Sequence, residues 1–216
     1  MLALPLRRQW TRSRSWATSP AVRSFTEEQP GSTVNVEQPM VADDTQFAAD
    51  VNEQINKIVD QYIEEANQRI AEYREAFLAT GGTEEEFEQK NIQVDVNYEI
   101  LSETEDRVSF VLRAAESDIS AGKEIVYYNL DLATGKVLTL EDVLGEDWVN
   151  ICNSSIQEQM AENTDVAYFS EDQGGFTTVD ENTSFYLDED GSVVVVFPKY
   201  SIAPGAYGEQ TFRIDA

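Results

Sequence analysis

Hydrophobic and polar positions along this chain follow two periods, and the switches between them lay out its elements. Apolar residues recur at spacings of three and four through Phe47, Val51, Ile55, Ile58, Tyr62, Ala66, Ile70, Tyr73 and Phe77. That is one stripe on one long helix. Asp43, Asp44 or Thr45 can cap its start, and Gly81 and Gly82 end it. In "TEEEF", Thr83 and Glu86 have the spacing of a capping box for a short second helix. Helical turns in "TLEDVLGEDW" lead into a further helix over 147–162, with Trp148, Cys152, Ile156 and Met160 four residues apart.

Between these segments the period drops to two. "STVNVEQPMV" alternates weakly over 32–41, and "IQVDVNYEI" puts Ile92, Val94, Val96, Tyr98 and Ile100 on one face. "RVSFVLRAA", "KEIVYYNLDL" and "KVLTL" continue the meander, with Gly135 available for positive φ in the last turn. "SFYL", "DEDG" and "SVVVVF" form a hairpin after the polar loop "SEDQGGFTTVDENTS", and "EQTFRI" is a last strand. The pattern predicts an α+β protein of two small subdomains, each an antiparallel sheet with a helix packed on one face. The expected boundaries are a disordered basic segment over 1–31, a subdomain with the long helix over 32–118, and a C-terminal domain over 119–216.

Composition adds constraints. The 216 residues, 41% hydrophobic, suffice for one good core or two small ones. Formal net charge is -26, and five of the 15 basic residues (Arg7, Arg8, Arg12, Arg14, Arg23) precede the first acid, Glu27. Such acidity argues against nucleic acid, whose phosphates it repels, and favours cationic partners. It equally serves solubility. The acid-free N-terminal stretch suits a transit peptide, a misassigned start, a fusion scar or the flank of a missing anchor. No export signal is legible in it, and no apolar run approaches the roughly 20 residues that span a bilayer. Cys152 is the single cysteine, so no intrachain disulfide forms, and its helical setting predicts a buried thiol.

Histidine is absent, which removes Ser-His-Asp and Cys-His catalysis and nearly all zinc sites. No catalytic residue, metal site or cofactor is expected. Counted from Asp188, "DEDGS" fails the calcium-loop pattern: position six is Val193 and position twelve Lys199, so a hairpin turn is expected. Asp142 with Glu146 and Asp147 resembles a glycosidase pair only as any chain with 41 acids must somewhere.

Three stretches carry a family resemblance: "YYNLDLATGKVLTLEDVLG", "SFYLDEDGSVVVVFPKY" and "YSIAPGAYG". Together they resemble the extracytoplasmic region of RsiV-type anti-sigma factors, a region that also accompanies PdaC-type peptidoglycan deacetylases. The resemblance runs from about Val34 to Ile214. It implies two α+β subdomains at the outer surface of a bacterium and a non-enzymatic binding or sensor role. The partner it implies is a cationic protein such as lysozyme. The alternative is a cell-wall accessory domain that binds peptidoglycan. No sigma-binding segment is recognisable, and without histidine the deacetylase chemistry is excluded. The candidate partner-binding residues are Tyr200, Pro204, Gly205, Tyr207 and Gly208. Gly205 stands where the family usually has an aromatic, so a contact made there would pass to Tyr207. The competing expectation is a purely structural crossover with Tyr200 and Tyr207 packed inward.

Overall fold

A computed structural model describes residues 21–41, 46–104, 106–117, 123–132, 134 and 136–214. Asp43, Asp44, Thr45 and Gly135, assigned capping and turn roles above, lie outside the described residues, as do residues 1–20. The chain is α+β, with one six-stranded sheet, one three-stranded antiparallel sheet and helices packed on both.

The long apolar stripe forms helix α1 (Gln46–Ala79). Ala48, Val51, Ile55, Val59, Tyr62, Ala66 and Ile70 are its buried positions among the described side chains, and they pack on the first sheet. The deepest line runs through Val59 rather than Ile58, which is only partly buried at the flank, as are Tyr73 and Phe77. The amide of Gly82 donates to the carbonyl of Phe77 (3.1 Å), and Gly81 takes φ of +100°, which closes the helix. Helix α2 (Glu84–Glu88) carries the predicted capping box: Thr83 accepts from the Glu86 amide, and the Glu86 carboxylate accepts from the Thr83 amide (2.9 Å). It drives Phe87 into the core beneath Gly31, where any Cβ would lie 2.6 Å from the ring.

The first sheet is ordered β1 (Ala21–Gln29), β2 (Ser32–Met40), β3 (Ile92–Glu103), β4 (Arg107–Glu116), β5 (Lys123–Asp131) and β6 (Lys136–Val137). Ala21–Gln29, read above as part of a disordered basic segment, form a nine-residue strand paired with β2 without a register shift. Arg23 explains why this polar stretch is ordered. Its guanidinium reaches across to α1 and donates to Asn56 Oδ1 (3.0 Å) and Asp60 Oδ1 (3.3 Å). Phe25 packs against the core beside it. β2 and β3 run parallel, a departure from the all-antiparallel expectation. The helical connection through α1 and α2 returns the chain to the end where β2 began, as a parallel pair requires. β5 and β6, expected in the C-terminal domain that starts at 119, are hydrogen-bonded into this first sheet.

"KVLTL" splits. Only Lys136 and Val137 stay in the sheet, because Thr139 begins helix α3 (Leu140–Leu144). Thr139 accepts from the Asp142 amide, and Asp142 accepts from the Thr139 amide (3.0 Å). Helix α4 (Trp148–Glu162) then buries Cys152 and Ile156 against the second sheet, β7 (Ser184–Leu187), β8 (Val193–Phe197) and β9 (Gln210–Ile214), ordered β7-β8-β9. Burial pushes the Cys152 thiol up to about 11, so it is protonated at neutral pH.

Asp142 supplies a pH prediction. The hydrogen bond from Lys136, and then those from Thr139, hold its carboxyl down to about 2. A depressed folded-state value stabilises above the unfolded carboxylate range and is lost on acidification towards that lower value. Stability should therefore fall from about pH 4 to about pH 2 through this group. Acid unfolding of Asp142→Asn beside the parent should show a gap at neutral pH that closes below about pH 2.

Candidate functional site

The candidate loop leaves β8 at Pro198 and reaches β9 at Gln210. Its middle is held from inside. Ile202 and Ala203 are buried in the second core, and the Ile202 carbonyl accepts from the Phe169 amide (2.9 Å). Pro204 starts a 3-10 turn over Gly205–Tyr207, closed by Tyr207 N–H to Pro204 O (3.0 Å) and Gly208 N–H to Gly205 O (3.2 Å). Gly208 leaves at φ of +73°, and the side chain of buried Gln210 donates to the Tyr207 carbonyl (2.9 Å).

The tyrosines do not pack inward. Tyr200 is 68% exposed and Tyr207 41%, and with Val22 they are the exposed large hydrophobic residues among the described ones. Tyr200 sits at φ of +74°, a region unfavourable for a bulky side chain. This conformation lays its ring over Gly205, where an added Cβ would come within 2.0 Å of a ring carbon. The ring of Tyr200 thus fills the space that a side chain at 205 would need. The Lys199 ammonium lies 5.1 Å from the Tyr200 ring centroid, a cation–π distance. Pro204, Gly205 and Gly208 shape the loop, while Tyr200 and Tyr207 present surface.

The end of the loop is tied to the outer face of the first sheet. The Tyr127 hydroxyl donates to Glu209 (3.1 Å), and the Tyr127 ring stacks on Tyr186 with centroids 6.3 Å apart. Burial, then the neighbouring Glu209 carboxylate, pushes the Tyr127 phenol up to about 12. The signal for this tie was present in "YYNLD", where alternation sends Tyr127 and Asn129 to the face opposite Tyr128 and Leu130.

Asn129 belongs to a buried seam between the sheets. Its amide donates to Phe185 O (2.9 Å) and accepts from Leu187 N–H (3.0 Å) and from the Ser109 hydroxyl (2.7 Å). Ser109 also accepts from Leu187 N–H (3.1 Å), and the Ser102 hydroxyl donates to Leu187 O. One carboxamide and two hydroxyls stand in for the strand that would otherwise pair with the free edge of β7.

The acidic turn and the acidic pair of the sequence have structural work. At 188–192 the Arg213 guanidinium donates to Asp188 (2.8 Å), Asp190 and Ser192 (2.9 Å), so one internal cation offsets part of the turn's negative charge and ties it together. Asp142 caps α3, and Asp147 accepts from Asn150 at the start of α4 (2.5 Å).

Residues 141–216 match a family model described as a protein of unknown function, DUF3298. The match takes in α3, α4, the second sheet and the candidate loop. The anti-sigma-V factor RsiV of Bacillus subtilis (strain 168) is 25% identical to this chain over 195 residues. That alignment covers 87% of this chain and 64% of RsiV, so the chain spans somewhat less than two thirds of that relative. The RsiV-type resemblance read in the sequence therefore holds over most of the chain. A crystal structure of a DUF3298-family member from Bacteroides fragilis superposes with a TM-score of 0.54 at 17% identity, covering 91% of this chain and 88% of that one. That likeness is one of fold, and it extends beyond the matched segment to most of the chain.

Proposed function

We propose that this chain is a non-enzymatic extracytoplasmic binding domain of the RsiV type, and that the Tyr200–Gly208 loop is its contact surface for a cationic protein. The observation that carries the reading is the pair of outward tyrosines on a loop whose backbone is fixed by Ile202, Ala203 and Gln210. Exposed tyrosines on a rigid support give large contact area at low entropic cost. A net charge of -26 attracts a basic partner from a distance. The similarity to an anti-sigma factor supports a sensor role at the cell surface, with lysozyme as the leading partner.

Titration with a cationic animal lysozyme at low and at physiological salt tests this. The expected result is saturable binding that survives physiological salt, weakened about tenfold or more by Tyr207→Ala, since hot-spot tyrosines typically contribute at that level. Association that salt abolishes, or that ignores Tyr207→Ala, removes the loop from the partner surface. Co-sedimentation with peptidoglycan in the absence of lysozyme binding would move the assignment to the cell-wall alternative.

A further inference from the structure

Strand β1 closes one side of the first sheet, and among the described residues nothing pairs with its outer edge. Sheets usually guard such an edge by keeping it short, by placing charges, proline or a bulge on it, or by covering it. β1 has no proline and no bulge, and its charged residues are Arg23, Glu27 and Glu28. It is nine residues long, "AVRSFTEEQ", and runs in unbroken register with β2.

The hydrogen-bond phase of this edge is fixed. Gln29 and Ser32 flank a two-residue turn, and Gly31 O accepts from Ile92 N–H (2.9 Å), which directs the odd-numbered backbone groups of β2 towards β3. The even-numbered groups of β2 then face β1. Their partners in β1 are the odd-numbered residues, so Val22, Ser24, Thr26 and Glu28 point N–H and C=O outward.

We propose that β1 pairs antiparallel with β1 of a second copy of this chain, about a twofold axis at Phe25, joining the two six-stranded sheets edge to edge. Self-complementarity argues for a second copy as the occupant. Antiparallel pairing centred on Phe25 sets Ser24 opposite Thr26 and Val22 opposite Glu28, all four with outward hydrogen-bonding groups. It also sets Arg23 opposite Glu27 on both sides of the axis, in the closely spaced non-hydrogen-bonded positions where side chains meet, so that Glu27 of the second copy would join the Asn56 and Asp60 acceptors the guanidinium already has. The symmetric registers one step to either side lose the match, pairing Arg23 with Phe25 or with Gln29. A twofold interface of this kind closes on itself and adds no further copies. The proposal is independent of the loop assignment, since β1 and the Tyr200–Gly208 loop lie on different sheets.

Sedimentation equilibrium of the full chain tests it. The expected result is a concentration-dependent dimer that tightens as salt rises, because each copy carries -26 and screening relieves their repulsion. That salt dependence is opposite in sign to the one for a cationic partner. Thr26→Pro removes an outward N–H that β2 does not use, so it should weaken the dimer at least about tenfold and leave the far-ultraviolet circular dichroism unchanged. Glu27→Lys, which sets a cation opposite Arg23, should weaken it similarly, and Tyr207→Ala should have no effect. A monomer at every accessible concentration overturns the proposal, as does a dimer indifferent to Thr26→Pro.

Discussion

Asn129→Leu should lower the unfolding free energy by about 3–4 kcal/mol, with the loss centred on the seam between the sheets. The substitution keeps volume but strips Phe185 O of its donor and leaves Leu187 N–H dependent on Ser109 alone. Asn129, Ser109 and Ser102 are at most 6% exposed, so water offers no substitute. Each stranded group costs about 1–3 kcal/mol. Ser109→Ala provides the contrast. Leu187 N–H then retains Asn129 Oδ1, and the expected cost is only about 1 kcal/mol. Urea unfolding of both variants measures the pair. Equal losses would mean that the carboxamide does not hold the β7 edge.

The second large effect lies at the far side of α1. Arg69 donates through Nε (3.0 Å) and a terminal nitrogen to Glu116 at the end of β4, whose side chain is fully buried. Tyr62 lies beside the same carboxylate, and burial, then Glu116, raises its phenol well above the ordinary value. Arg69→Leu should cost about 3–5 kcal/mol, because it leaves a buried carboxylate with no cation and only the Tyr62 phenol beside it. The double variant Arg69→Leu with Glu116→Leu should recover most of that loss, since paired apolar replacements avoid the desolvation cost. Chemical denaturation of the single and double variants decides it. A double variant as weak as the single one would assign the loss to packing of the arginine stem.

Much of the architecture was legible because it rests on local rules. The stripe on α1, the capping box at Thr83 and the alternation in β3 each follow from periodicities and side-chain chemistry within a few residues. The misread parts depended on distant partners. β1 is polar, and its order depends on Arg23 meeting Asn56 and Asp60 on a helix more than thirty residues away. The parallel pairing of β2 with β3 is set by where α1 and α2 return the chain. "KVLTL" favours a strand by composition, yet the Thr139 capping box claims its end. At the candidate loop, proline and glycines announced a turn. The outward direction of Tyr200 and Tyr207 followed only from Ile202 and Ala203 taking the inward positions.

The seam also has a mechanical consequence. Ala21 lies in one sheet and Ile214 in the other, so tension applied between these points must pass from sheet to sheet. Inside each sheet the load is shared along backbone ladders. At the junction it falls on a few side-chain bonds from Asn129, Ser109 and Ser102, and on the Tyr127–Glu209 contact. A molecule stretched along this path would part at the seam first, exposing the edge of β7 while β8 and β9 stay paired.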